Sequence, residues 1–362
     1  MKPCIPTSFY HDPQIFSLEQ SVFENVWQFV GFTKDLQNNN DYICRQVGRS
    51  SVLVQNFDGQ IKAFQNVCSH RFNRIHQSCA GNGPLRCQYH GWTYDRDGRP
   101  FSIPQKPRFK DLDRSEIEVL RLDRWSVDSC GPFIFVKRQA DDLSLRDYLQ
   151  GSYKTLEAMG YALGKPIDCN EMIIKANWKI LVENTLESYH VSSIHPTTFN
   201  VLGASGLEFT FEGPHSAWSA ALNQKMNDKW HKMDRLLDSR PLKFDGYFHQ
   251  LIFPNLTLAS TYGISFSIQH FETISPSETR FTSYVFETET DSASQNTRSI
   301  LELLGSSIIE FNRAVFNEDK AICEQVQLGV SETSKSGILS DEEGRVFDFQ
   351  RSYMNIMNVN QG

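Results

Sequence analysis

No apolar run of about eighteen residues, the length a helix needs to cross a bilayer, occurs in this 362-residue chain. The opening Met1-Lys2-Pro3-Cys4-Ile5-Pro6 lacks the apolar core of a secretory signal, so a cytoplasmic protein is expected. Basic charge is scarce as well. The 36 Lys and Arg face 43 Asp and Glu, leaving a net charge of -7 with no basic arm or face. Neither nucleic acid nor a membrane is therefore an expected partner. Glycine loops of the phosphate- and dinucleotide-binding kinds are missing, and no Ser-His-Asp or Cys-His set has a recognisable context. The chain is thus not expected to bind flavin or nicotinamide itself. Its eight cysteines do not form a disulfide framework: Cys4, Cys44, Cys130 and Cys323 are scattered and Cys169 precedes a strand-like run. Free thiols in a reducing compartment are the expectation. There is no internal repeat.

Two short motifs stand out against these absences. Cys68-Ser69-His70 and Cys87-Gln88-Tyr89-His90 are mixed thiolate and imidazole pairs, sixteen residues apart, and the second runs into Gly91-Trp92. Zinc fingers usually keep both cysteines in one pair and both histidines in the other. Four ligands on two loops suit two irons bridged by sulfide. With the cysteines on one iron and the histidines on the other, the reduction potential rises above that of an all-cysteine cluster. Cys79, between the pairs, is a minor candidate for an extra ligand.

Hydrophobic periodicity predicts a helix over residues 16–32, then strands over 42–47, 51–57 and 60–66, with Asp58-Gly59 as a hairpin turn. Gly81-Asn82-Gly83-Pro84 reads as a further turn. A small β domain over residues 40–155 follows, with the metal loops at one end. Beyond it, Met172-Ile173-Ile174 reads as a short strand and residues 178–191 as a helix. Residues 247–289 are strand-rich, with alternation around Ile264 and around Phe281 predicting an antiparallel pair. A final helix over 297–327, interrupted near Gly305, completes the pattern.

A second metal site is written into Glu183, Glu187, His190 and His195. The two histidines are five residues apart, about 140° on an ideal helix, so they can share a metal only if the helix bends or ends between them. Pro196 favours that by pushing His195 out of helical conformation. Two histidines and one carboxylate hold redox iron with positions left open. On the last helix Ile308, Phe311, Val315, Ile322 and Val326 form an apolar stripe into which Asp319 falls at helical spacing. An unpaired carboxylate there is costly unless it binds something; the plain alternative pairs it with Arg313 or Lys320. Glu187, one turn before His190, is either a ligand itself or a hydrogen-bonding partner of one. Phe199, Leu202, Phe209, Phe211, Trp218, Tyr247, Phe248 and Phe253 are candidates for a pocket, with His249 and His270 as weaker ones.

With both motifs in place, the chain resembles the terminal oxygenase (alpha) component of the Rieske non-haem iron, ring-hydroxylating oxygenases. The resemblance rests on Cys68-Ser69-His70-Arg71, Cys87-Gln88-Tyr89-His90-Gly91-Trp92, Asn177-Trp178-Lys179, Glu187-Ser188-Tyr189-His190, His195-Pro196 and Glu318-Asp319. It implies an α+β fold: a small all-β Rieske domain (40–155) beside a helix-grip-like catalytic domain (156–362) with a central antiparallel sheet, and an N-terminal helical segment (1–39) packing on the latter. It implies a [2Fe-2S] cluster on Cys68, His70, Cys87 and His90, and mononuclear Fe(II) on His190, His195 and Asp319. It further implies that Glu187 bridges to His90 of a neighbouring subunit in a homotrimer. A separate NAD(P)H-dependent reductase, with or without a ferredoxin, would supply electrons. The implied reaction is hydroxylation or oxidative demethylation of a small organic molecule by O2. An aromatic or cyclic substrate is expected, a quaternary or N-methylated amine being the alternative. An electron carrier with no oxygenase activity is the reading from another class.

Overall fold

The computed structural model describes residues 1–110, 112–138, 143–237, 241–290 and 295–358. The chain divides into two compact units, one of residues 19–148 and one of residues 1–18 with 149–362. The sequence reading placed the divisions at 39/40 and 155/156.

The first unit begins in α1 (Pro13–Glu24), whose start is capped by Asp12 accepting from the Gln14 backbone N–H at 2.6 Å. Where a helix was expected to run on to residue 32, the chain turns into strand β1 (Gln28–Phe32). All five of its residues are buried, so apolar run length alone did not separate helix from strand. Next come β2 (Asp41–Val47), β3 (Ser50–Phe57), β4 (Gln60–Gln65), β5 (Ala80–Asn82), β6 (Thr93–Tyr94) and β7 (Pro100–Ser102). After α2 (Arg114–Val119), β8 (Arg124–Cys130) and β9 (Phe133–Lys137) close the unit. The main sheet has the order β1-β9-β8-β4-β3-β2-β5, while β6 and β7 pair separately. The hairpin at Asp58-Gly59 forms as expected, both residues taking positive φ (50° and 89°). The expected turn at 81–84 instead begins as edge strand β5, paired with β2.

The second unit starts with α3 (Leu145–Leu149), which straddles the division, and α4 (Ser152–Tyr161). The expected short strand at 172–174 is the end of a twelve-residue strand, β10 (Leu163–Ile174). It is followed by α5 (Trp178–Thr185), α6 (Val191–Ile194), β11 (Ser205–Glu212), β12 (His215–Ala221) and α7 (Gln224–Leu236). Strands β13 (Tyr247–Ile252), β14 (Leu256–Thr261), β15 (Ser265–Ser275) and β16 (Glu278–Thr288) then run up and down. The sheet is antiparallel throughout, in the order β10-β16-β15-β14-β13-β12-β11. Helix α8 (Gln295–Ser331) packs on α5 and β10, and α9 (Gly344–Ile356) ends the described chain. This is the α+β architecture expected from the resemblance. Residues 1–18 belong to this unit: the Tyr10 hydroxyl donates to Glu183 at 2.7 Å, and the Cys4 backbone N–H donates to Gln350 at 2.7 Å.

Helix α8 runs unbroken for 37 residues through Gly305. A Cβ at Gly305 would lie 3.4 Å from Ile167 Cδ1, an ordinary contact, so the glycine neither breaks the helix nor is required by packing. The inward line also differs from the predicted one. Val326 is exposed, and burial follows Leu301, Gly305, Phe316, Cys323 and Gln327. Asp319 falls between Phe316 and Cys323 on this line, at three- and four-residue spacing.

Candidate functional site: two clusters of metal-binding side chains

In the first unit the two Cys/His motifs occupy loops of one construction. The Cys68 N–H donates to Asn73 O and the Cys87 N–H to Trp92 O, both at 2.8 Å. Phe72 N–H and Gly91 N–H return to Cys68 O and Cys87 O, both at 2.9 Å. The fifth residue of each loop must take positive φ: Gly91 does so at 75°, and Phe72 at 60°. For a bulky residue that conformation is strained. Each cysteine sulfur is buried. Tyr94 lies 3.0 Å from the Cys68 sulfur and Asn73 Nδ2 is 3.7 Å from that of Cys87. The imidazoles of His70 and His90 meet edge to face with centroids 4.7 Å apart, and His70 stacks on Trp92. Burial, then electrostatic repulsion from His90 and Arg71, lowers the pKa of His70. Burial raises that of Cys68, against the hydrogen bond from Tyr94. His70 Nδ1 is buried without a hydrogen-bond partner among the described residues. Two thiols, two imidazoles and an orphaned ring nitrogen fit a two-iron, two-sulfide group. Cys79 is exposed and engages its carbonyl rather than its thiol, accepting from Cys44 N–H.

In the second unit the expected helix over 178–191 is interrupted. Asn177 fixes its start by accepting from Lys179 N–H at 3.0 Å, while its own N–H donates to Gln327 at 2.7 Å. After Leu186 the Glu187 carboxylate accepts from the N–H groups of Tyr189 and His190, so a side chain replaces the helical acceptors. One short turn, α6, then carries the chain to His195. The helix ends at Thr185, before either histidine, and His190 and His195 flank the single turn α6 as its N- and C-cap residues, so the 140° of an ideal helix does not apply.

His190 Nε2 and His195 Nε2 are 3.2 Å apart, and Asp319 Oδ1 is 3.0 Å from the latter and 3.7 Å from the former. The three donor atoms lie within 4.8 Å of one another and could hold one metal ion. Each histidine gives its Nδ1 to a carboxylate, His190 to Glu187 and His195 to Glu318 at 2.7 Å. Such pairs fix ring orientation and leave Nε2 for a metal. Asn184 donates to Asp319 at 2.8 Å, and Thr198 to Glu318 at 2.6 Å. Burial opposes charge on His195, but hydrogen bonds to Asp319 and Glu318 outweigh it and raise its pKa. Arg313, the alternative partner for Asp319, is taken by Asp168 at 2.6 Å. Glu318 carries a role not read from the sequence; its one signal there is adjacency to Asp319.

A small cavity of about 70 Å³ borders this cluster, and one of about 500 Å³ shares Phe199, Tyr247, Gln269, Val315 and Phe316 with it. Of the expected pocket residues, Phe199, Leu202 and Tyr247 line the larger cavity and Trp218 the smaller. Phe253 is core, Phe211 is half-exposed, and Phe209 and Phe248 line neither cavity. Trp230, Phe266, Phe311 and Phe316 were missed, because a wall built from a helix and a sheet has no linear signature. His249 borders the smaller cavity, fully desolvated, with Arg345 donating to its Nδ1 at 3.1 Å. Burial and that guanidinium hold its pKa far below the usual value. His270 lines neither cavity.

The catalytic-domain model of the ring hydroxylating alpha subunit matches residues 145–359. The chain belongs to this family. The Rieske [2Fe-2S] domain model matches residues 26–119, which contain all four residues of the first cluster. Family members carry the [2Fe-2S] group in that domain and mononuclear iron in the catalytic one. The glycine betaine monooxygenase oxygenase subunit of Chromohalobacter salexigens is 33% identical over 201 residues, 55% of this chain and 44% of that protein. The match thus spans less than half of that relative's length. The carnitine monooxygenase oxygenase subunit of Escherichia coli K12 is 28% identical over 359 residues, covering 94% of this chain and 88% of that one. Naphthalene 1,2-dioxygenase from Rhodococcus sp. bound to indole shares the fold, with a TM-score of 0.78 at 18% identity over 99% of this chain and 95% of that one.

Proposed function

We propose that this protein is a terminal oxygenase that takes electrons from a partner reductase and uses O2 to oxidise a small organic substrate. The observation that carries this reading is the convergence of His190, His195 and Asp319 beside a cavity that shares five lining residues with a substrate-sized one. Two imidazoles and one carboxylate leave a metal with open positions. His190, His195 and Asp319 would hold the mononuclear iron, and Cys68, His70, Cys87 and His90 the cluster. When bound, the iron supplies O2 activation and the cluster supplies single electrons. Glu187 and Glu318 keep the two rings aimed, and Asn184 steadies Asp319. Phe199, Tyr247 and Phe316 shield the reacting end of the substrate from water.

Glu187 is proposed as the link by which an electron leaves His90 of the partner subunit, in a homotrimer. The exposure of His90, together with Phe72 (78% exposed) and Tyr89 (54% exposed) on the same loops, supports a surface that another copy covers. For the substrate, the Phe199, Tyr247 and Phe311 rings suit a methylated ammonium group, and the relatives acting on glycine betaine and carnitine support that choice. The same rings suit an aromatic substrate, which is the second reading.

Asp319→Ala tests the assignment. The variant should lose the mononuclear iron and all product formation while the visible absorption of the cluster stays. Product formation at the unsubstituted rate by the variant would falsify the triad.

A further inference from the structure

The larger cavity has a charge pattern that the oxygenase reading does not require. Among its described lining residues are two lysines, Lys225 and Lys229, and no aspartate or glutamate. The lysines stand four residues apart on α7, so their side chains share one face. The acidic neighbour Asp228 is occupied by Gln224, whose side-chain amide donates to it at 2.9 Å. Among the described residues neither lysine side chain makes a hydrogen bond or an ion pair. Both are exposed, while Met226 and Trp230 beside them on the helix are covered and line the same cavity. The cationic end is therefore a wet mouth over an apolar throat. The walls that the cavity shares with the metal cluster are Phe199, Tyr247, Gln269, Val315 and Phe316, which include no cation.

From this polarity we infer that the substrate bears a carboxylate, held at the mouth by Lys225 and Lys229, with its apolar or methylated end directed to His190, His195 and Asp319. The inference deepens the oxygenase reading and rests on it for the direction of the reacting end. The two lysines fix which end enters first, and the rings select what that end is. A betaine and an aryl carboxylate share this chemistry, and they differ only in the group that meets the rings.

Calorimetric titration of the oxidised holoenzyme with two matched pairs tests it: trimethylglycine against choline, and 4-methylbenzoate against 4-methylbenzamide. In the pair that matches the pocket, the carboxylate should bind at least ten-fold more tightly than its neutral-ended partner. Lys225→Gln with Lys229→Gln should remove that preference, and Lys225→Arg with Lys229→Arg should keep it. Which pair binds tells a betaine from an aryl carboxylate. Equal binding within both pairs, a preference that survives the double glutamine substitution, or binding of none of the four with cluster absorption intact overturns the inference. Because binding is read without reductant, turnover is scored separately. Carboxylates that bind in this way and are never oxidised would sink the oxygenase reading and leave the anion site standing.

Discussion

At the scale of single residues, the account depends on hydrogen bonds around atoms that carry charge. With a cluster bound through Cys68, the Tyr94 hydroxyl at its sulfur would stabilise the more negative, reduced form. Tyr94→Phe should therefore lower the midpoint potential by about 60 mV, taking a hydrogen bond to a charged acceptor as roughly 1.5 kcal/mol. Protein-film voltammetry reads this directly, and an unchanged potential would remove Tyr94 from the electronics of the site. Glu318 makes a matching case at the other cluster. Glu318→Gln keeps the shape but loses the charge facing His195 Nδ1, and should weaken iron binding by about 10–100-fold. Iron retention against a chelator measures it. The candidate ligands were legible in the sequence because metal chemistry restricts residue type and spacing, and the structure brings His190, His195 and Asp319 together. Glu318 was not, since a carboxylate supporting a ligand has no required spacing of its own.

Elements decide whether those residues meet. The break after Leu186 comes from Glu187 capturing backbone N–H groups, and it lets two histidines five residues apart face one point. Periodicity predicts one helix here because a side-chain capture leaves the apolar pattern intact. The same limit explains residues 28–32, where a fully buried strand imitates the face of a helix. On α8, the long register that delivers Asp319 passes through Gly305 without an interruption of the helix. Since a Cβ there meets only Ile167 at ordinary contact distance, Gly305→Ala should stabilise the fold by about 0.5–1 kcal/mol through helix propensity. Gly305→Leu should destabilise it by overpacking. Chemical denaturation of the two variants checks the pair; a destabilising alanine would mean that the contact is tighter than described.

At the scale of the whole molecule, the termini are tied to the catalytic unit through a titrating group. Desolvation pushes the Glu183 carboxyl up to about 7, against hydrogen bonds from Tyr10 and Gln350. An acid whose pKa is raised on folding binds more protons in the folded state. Its contribution to stability is complete below its unfolded value and falls as pH rises toward about 7. A shift of this size corresponds to roughly 3 kcal/mol. Glu183→Gln should therefore flatten the fall in Tm between pH about 5 and 7 relative to the unsubstituted protein, with the largest gain near neutrality. Parallel pH profiles of Tm for both proteins would contradict it.

The strand-rich stretches over 42–66 and 247–289 were readable in outline, because strand alternation stands apart from helix spacing. The cavity was not, because its wall draws on a segment at residues 197–202, on α7, on the consecutive strands β13–β15 and on α8, which are spread from Thr197 to Phe316. The central claim is that the His190, His195 and Asp319 cluster oxidises substrate with O2 using electrons delivered by the cluster domain. Its most direct test is a single turnover of the chemically reduced protein under isotopically labelled O2, with trimethylglycine and 4-methylbenzoate as substrates. Labelled product, or the labelled aldehyde of a removed methyl group trapped before exchange, should come from the unsubstituted protein. None should come from Asp319→Ala carrying the same reduced cluster. Labelled product in equal yield from both proteins, or none from the unsubstituted protein with either substrate, would contradict the account.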